Sequence, residues 1–236
     1  MTADVNQSWT QFWDTDHSVY VSVRHLDSHY SHIADDILRV LPQGQPRVLD
    51  HGCGEALHAG RIASACSALY LCDAAPKLRA RLAERFASEP RIAVLAPNAI
   101  ESLPESSLDL VVANSLVQYL TAGALGGLLT TWRRTLKPGG RLIISDVITP
   151  QQTAVTDATA LLRFAAKRGF LMDAVTGLAR TFFSDYRRLR SQLGLTRYAE
   201  ADLIKLLNEN GFSAERLEPN FGYNRARLAV LATQRA

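Results

Sequence analysis

A chain of 236 residues with 47% hydrophobic side chains is the size of one domain and can fill one ordinary core. Its net charge of +3 is too small for a nucleic-acid-binding surface by itself, and no apolar run approaches the ~18 residues that cross a bilayer as a helix. Cys53, Cys66 and Cys72 form no C-x-x-C pair, which argues against zinc and predicts free thiols in a reducing cytoplasm.

In chain order, Met1-Thr2-Ala3-Asp4 lacks the basic and apolar regions of a secretory signal. The next stretch is rich in aromatic and histidine side chains: Trp9, Phe12, Trp13, His17, Tyr20, His25, His29, Tyr30 and His32. Its second part has helical periodicity from Val23 to Val40, ending before Leu41-Pro42, so residues 1–42 are expected to form a helical cap. His25, His29 and His32 share one helical face, which reads first as a solvated or capping face, next as a substrate contact and last as a metal site.

An apolar run at Arg47–His51 then enters Gly52-Cys53-Gly54 and a helical stretch from Leu57. That is a strand, a tight glycine turn and a helix start, where backbone N–H groups lie open to a ligand. A second run, Leu69–Asp73, ends on a carboxylate placed to accept hydrogen bonds from ribose hydroxyls. Further strand-like runs are Ile92–Pro97, Leu108–Asn114 and Arg141–Val147, with helical patterns between them. Alternation of this kind predicts a parallel sheet wound on both faces. After the fifth run comes a long connection, Thr149–Arg197, in which Leu171, Val175, Leu178, Phe182, Tyr186, Leu189 and Leu193 recur at helical spacing. Residues 151–197 hold eight basic and three acidic side chains, so the whole positive excess sits there. A helix near Tyr198–Phe212 follows, then runs at Ala214–Glu218 and Leu228–Ala232, too close for a crossover and so expected to pair antiparallel.

Two readings stand at this point, a dinucleotide fold and an S-adenosylmethionine fold. The dinucleotide pattern G-x-G-x-x-G lacks its third glycine here, because Leu57 stands in that place. The remaining segments decide. Val48–Ala56, Asp73, Asn98–Pro104, Ser107–Ser115 and Leu136–Asp146, in this order and at these distances, resemble the class I S-adenosylmethionine-dependent methyltransferases. The type is the small-molecule one, similar to the ubiquinone- and menaquinone-biosynthesis enzymes. The likeness covers about Arg47–Val147 and resumes at Tyr198–Phe212 and the last strand.

The resemblance implies an α/β, Rossmann-like, seven-stranded, mostly parallel sheet with helices on both faces and an antiparallel last pair. It implies one domain over 1–236, with the cap at 1–42 and a helical lid at 149–197. It implies S-adenosylmethionine as cofactor, with Asp50, Gly52, Cys53 and Gly54 around its methionine part, Asp73 and Ala74 on the ribose, Asn98 and Ala99 at the adenine, and Asn114 and Ser115 beside the methyl group. Two departures are Ala56 for a frequent third glycine and Asn98 for a more frequent aspartate. Asp109 matches a frequent aspartate read as structural. Asn114–Tyr119 looks like the N-S-x-V-Q-Y run of some small-molecule methyltransferases and of N-methylating domains of peptide synthetases. The absence of [DNS]-P-P-[YF], and of a cysteine near Asn114, argues against methylation of DNA or of glutamine amides.

The implied reaction is direct displacement onto a small, partly apolar acceptor, with oxygen ranked before nitrogen and nitrogen before carbon. His17, Tyr20, His25 and His29 are the candidate bases. Trp13, Tyr20, Tyr119, Arg180, Phe182 and Phe183 are the candidate acceptor contacts. The insert's Arg163, Lys167, Arg168, Arg180, Arg187, Arg188, Arg190 and Arg197 read plainly as a solvated face. The functional alternative is attraction of an anionic acceptor or a membrane surface. The rival functions are an RNA or protein methyltransferase binding through that insert, and a catalytically idle cofactor-binding protein. A cytoplasmic monomer or homodimer is expected.

Overall fold

Successive side chains along each strand face opposite sides of the sheet, and both sides find a helical layer. A computed structural model describes residues 2–15, 20–182 and 192–235, with side chains described for 8–15, 20–178 and 192–235. The seven strands are β1 (Arg47–His51), β2 (Ala68–Cys72), β3 (Ile92–Leu95), β4 (Leu108–Asn114), β5 (Leu136–Val147), β6 (Phe212–Arg216) and β7 (Leu228–Gln234). Their order is β3-β2-β1-β4-β5-β7-β6, with β7 antiparallel to β5 and β6.

Among the described residues the α-helices are α1 (Thr2–Trp13), α2 (Val23–Val40), α3 (Ala59–Ser64), α4 (Pro76–Arg85), α5 (Ala122–Thr135), α6 (Ala154–Arg168), α7 (Leu171–Phe182) and α8 (Glu200–Glu209). On one face Leu49, Val111, Leu142 and Ile144 pack with Leu125, Leu129 and Trp132 of α5 and Leu203 and Leu207 of α8. On the other, Val48, Leu110, Val112 and Ile143 pack with Ile33 and Ile37 of α2, Ile62 of α3 and Leu82 of α4. Full burial of each such side chain contributes roughly 1.5–3 kcal/mol, so these two layers carry the fold. Asp109, at the start of β4, accepts from the Arg47 backbone N–H (2.8 Å) and from Lys137 Nζ (2.6 Å) and so pins strand ends together.

Three expectations are corrected. The fifth strand begins at Leu136 rather than at the expected Arg141: Leu136 pairs with Leu108, and a register shift between Leu108 and Leu110 absorbs the Pro-Gly-Gly stretch. The face of α2 carrying His25, His29 and His32 is partly covered rather than solvated: His25 is 4% exposed and stacks on Phe170, while His29 and His32 are half-buried. The expected apolar face of α7 is divided. Ala174 and Leu178 pack with Phe164 and Phe170, whereas Leu171 and Val175 stay 42% and 50% exposed. Small residues make the contact: Gly177 comes so close to Val21 that a Cβ there would collide with it. Continuation of this helix toward Leu193 lies outside the described residues.

Candidate active site

The strand order reverses between β1 and β4, and the crevice at their carboxyl ends is where open α/β sheets bind ligands. A cavity of about 510 Å³ occupies that place. Gly52 and Gly54 follow β1 with φ of +80° and +56°, conformations that glycine alone adopts without strain. A Cβ on Gly54 would strike the Tyr30 hydroxyl, so the turn and α2 touch with no room for a side chain. That hydroxyl accepts from the Glu55 N–H (2.8 Å) and from Tyr20 Oη (3.2 Å), which ties the cap to the glycine turn.

Asp73 follows β2. Its carboxylate accepts from Gly54 N–H (3.1 Å) and Ala75 N–H (3.0 Å) and lines the cavity. A carboxylate offers about four acceptor positions, so capacity remains for two hydroxyls of a ligand. Asp50, also lining the cavity, is 6% exposed. Burial, with the charge of Asp73 beside it, pushes Asp50 up to about 7. Two carboxylates that face one cavity and feel each other's charge favour a cation between them. Cys53 and Ala74 line the same cavity, and burial raises the Cys53 thiol far above its ordinary range.

Past β3 the wall is Pro97, while Asn98 is exposed and Ala99 half-buried just beyond it. After β4, Asn114, Ser115, Gln118 and Tyr119 all line the cavity. The Asn114 amide oxygen accepts from Ser145 Oγ (2.9 Å), and Ser115 Oγ donates to Asp146 Oδ2. Helix α1 closes this side: Trp9 and Trp13 lie 4.8 and 5.6 Å from the Tyr119 ring, and Trp9 is 3% exposed.

The histidines separate by geometry. Val21 N–H donates to His25 Nδ1 (3.3 Å), so the neutral ring keeps its proton on Nε2 and has no lone pair left to take another. Burial pulls His25 down to about 4 and His29 to about 3, so both rings are neutral at ordinary pH. Tyr20 and His29 line the cavity with their rings 5.4 Å apart. Burial raises the Tyr20 phenol to about 12, which keeps it a hydrogen-bond donor rather than a base. His17 and Phe183 lie outside the described residues, as do the side chains of Arg180 and Phe182.

Sequence reasoning missed Asp146, Tyr223 and Arg227, which complete the wall. Asp146 stands at the carboxyl end of a strand, a position that could have marked it; Tyr223 and Arg227 sit in the β6–β7 connection, which has no periodicity to read. No described residue from 149 to 178 lines this cavity. Instead α6 and α7 support α2 from behind, through Phe164 and Phe170 against His25. Among the insert's described basic groups, Arg163, Lys167 and Arg168 are exposed, and Arg197 donates to the Gln152 carbonyl (2.9 Å).

Comparison with known proteins agrees with this geometry. Residues 48–140 match the family described as a methyltransferase domain. An uncharacterised methyltransferase of Mycobacterium tuberculosis is 34% identical over 128 residues, 52% of this chain and 59% of the relative, and one of Mycobacterium bovis matches equally. The chain thus spans 59% of the length of these curated relatives. An S-adenosylmethionine-dependent methyltransferase of Leishmania major superposes with a TM-score of 0.61 at 15% identity, covering 98% of this chain and 83% of that one. A Burkholderia thailandensis 1,6-didemethyltoxoflavin N1-methyltransferase, solved with S-adenosylhomocysteine, gives 0.56 at 19% identity, covering 89% and 80%. Residues 48–140 thus match a methyltransferase domain, and the chain carries the Rossmann-like fold of the solved methyltransferases.

Proposed function

We propose that this protein transfers a methyl group from S-adenosylmethionine to a small, partly apolar organic molecule in the cytoplasm, with residues 1–236 working as one unit. The observation that carries the reading is the pair of carboxylates, buried Asp50 and half-buried Asp73, beside a glycine turn in a cavity whose wall also holds the rings of Trp9, Trp13, Tyr20 and Tyr119. The residues fit the cofactor. Asp73 has acceptor capacity for ribose hydroxyls, Gly52 and Gly54 let backbone approach the methionine part, and Asp50 suits its cationic end. Pro97, Leu116 and Tyr119 offer apolar surface for the adenine, with Asn98 and Ala99 at its edge.

The bound cofactor supplies an activated methyl group on a good leaving group. The protein's share is then alignment and exclusion of water, which a well-oriented pair of reactants turns into a large rate gain. Trp9, Trp13, Tyr20 and Tyr119 enclose the cavity and supply that exclusion. Incubation with methyl-labelled S-adenosylmethionine and a panel of small aromatic alcohols and amines, read by mass spectrometry, tests the proposal. Label should move to at least one acceptor; label that stays on the cofactor across the panel, despite tight cofactor binding, favours an idle binding protein.

A further inference from the structure

We infer that the end of the cavity formed by α2 and the tip of β5 is an amine subsite, in which Asp146 and the surrounding rings of Tyr20, His29 and Tyr223 hold the acceptor nitrogen that receives the methyl group. The inference rests on the reading that the glycine-turn end holds the cofactor.

Charge is the first argument. Arg227 Nη1 pairs with Asp146 and Nη2 with Asp157, both at 3.1 Å. Two carboxylates sharing one guanidinium leave the cluster with one net negative charge. Arg227 is the only arginine or lysine among the described residues lining the cavity, and it is held from both sides. An anionic acceptor therefore meets no free cation among them, and an ammonium meets an unbalanced carboxylate. Asp146 Oδ2 takes both Ser115 and Arg227, while no described residue donates to Oδ1. The field of Asp146 also contributes to holding the Tyr20 and Tyr223 phenols protonated.

The second argument is the ring arrangement. Tyr20 lies 5.4 Å from His29, His29 lies 6.4 Å from Tyr223, and the planes are steeply inclined to one another. Tyr20, His29 and Tyr223 line the cavity together with Asp146, and aromatic rings beside a carboxylate favour a cation. The third is backbone geometry. Ser115 and Asp146 end neighbouring strands, and both are non-glycine residues in the left-handed region, at φ of +53° and +57°. Such conformations cost energy and persist where the surroundings impose them. Here the imposed turn carries Asp146 into the cavity wall, fixed by Ser115 and by Asn220 Oδ1 accepting from the Asp146 N–H (2.8 Å).

The chemistry follows. An ammonium first releases a proton to water. The neutral nitrogen's lone pair then forms the C–N bond as the C–S bond breaks, its electron pair remaining on sulfur. Positive charge moves from sulfur to nitrogen, next to Asp146, where it is stabilised. The surplus proton leaves the product to water afterwards, and no base is required in the transfer step.

The test is calorimetric titration of the full-length protein, saturated with S-adenosylhomocysteine, with three probes of similar shape: phenethylamine, 2-phenylethanol and 3-phenylpropionate. Phenethylamine should bind roughly tenfold tighter than the alcohol, and the carboxylate should bind weakest. Asp146→Asn tolerates the left-handed backbone and keeps a partner for Ser115. It should bring the amine within roughly twofold of the alcohol while S-adenosylhomocysteine affinity holds. Should that variant fail to fold, Tyr223→Leu replaces it, with the same loss of preference expected. Equal binding of amine and alcohol, tighter binding of 3-phenylpropionate, no binding of phenethylamine, or a preference that survives in the variants overturns the amine subsite. Failure of the wild type to bind S-adenosylhomocysteine overturns the cofactor reading instead.

Discussion

Asp50 is a carboxylate held near neutrality by burial and by Asp73, with a value of about 7 against an ordinary value of about 4. Its folded form takes up a proton that the unfolded chain does not hold between those values. Its contribution to stability is therefore present at low pH and is lost as pH rises from about 4 to about 7. A cationic ligand works in the opposite direction, since it needs the carboxylate ionised. S-adenosylmethionine should bind more tightly near pH 8 than near pH 6, where protonation of Asp50 competes. Asp50→Asn should flatten that dependence and raise the ligand-free melting temperature more at the higher pH. Titration calorimetry and thermal unfolding at both pH values check this, and an affinity that falls with rising pH would exclude the assigned role.

Helix α1 contributes Trp9 and Trp13 to the cavity wall but little to the two layers that enclose the sheet. Deleting residues 1–22 should therefore leave far-ultraviolet circular dichroism close to wild type per residue while abolishing methyl transfer. A truncated protein with normal turnover would reduce the helix to a cover for one edge. The elements themselves were largely legible. Helix α2 spans Val23–Val40 as its periodicity predicts, and β4 spans Leu108–Asn114 as its apolar run predicts. Glycines at Gly52 and Gly54 and the carboxylate at Asp73 announce one end of the cavity because backbone chemistry at a strand–turn–helix junction demands those residue types. The end of the cavity at Asp146 was not legible. Asp146, Tyr223 and Arg227 meet only through the pairing of β5 with β7 and the path of the β6–β7 connection, and neither leaves a local period. The histidine face of α2 was misread for a related reason, since helical spacing shows that the rings share a side but not what α6 and α7 place against it.

Across the whole molecule, buried histidines set the response to acid. His25, His29 and His51 sit near 4, 3 and 4, each lowered chiefly by burial. A histidine kept neutral in the folded state contributes stability that is complete above its unfolded value of about 6.5 and is lost as pH falls below it. Asp50 acts in the opposite sense, with smaller help from the raised Asp73 and Asp146, so three strongly lowered histidines outweigh it. The melting temperature should fall steadily as pH drops from about 6.5 toward 4, read by differential scanning fluorimetry; a rise over that range would contradict the burial of these rings. The central claim, that the glycine turn and Asp73 form an S-adenosylmethionine site, is tested most directly by calorimetric titration with S-adenosylhomocysteine. The wild type should bind one molecule per chain. Asp73→Ala, by leaving ligand hydroxyls unpaired, should weaken that binding by about 1–3 kcal/mol. A wild type that does not bind, or an Asp73→Ala protein that binds equally well, would contradict the account.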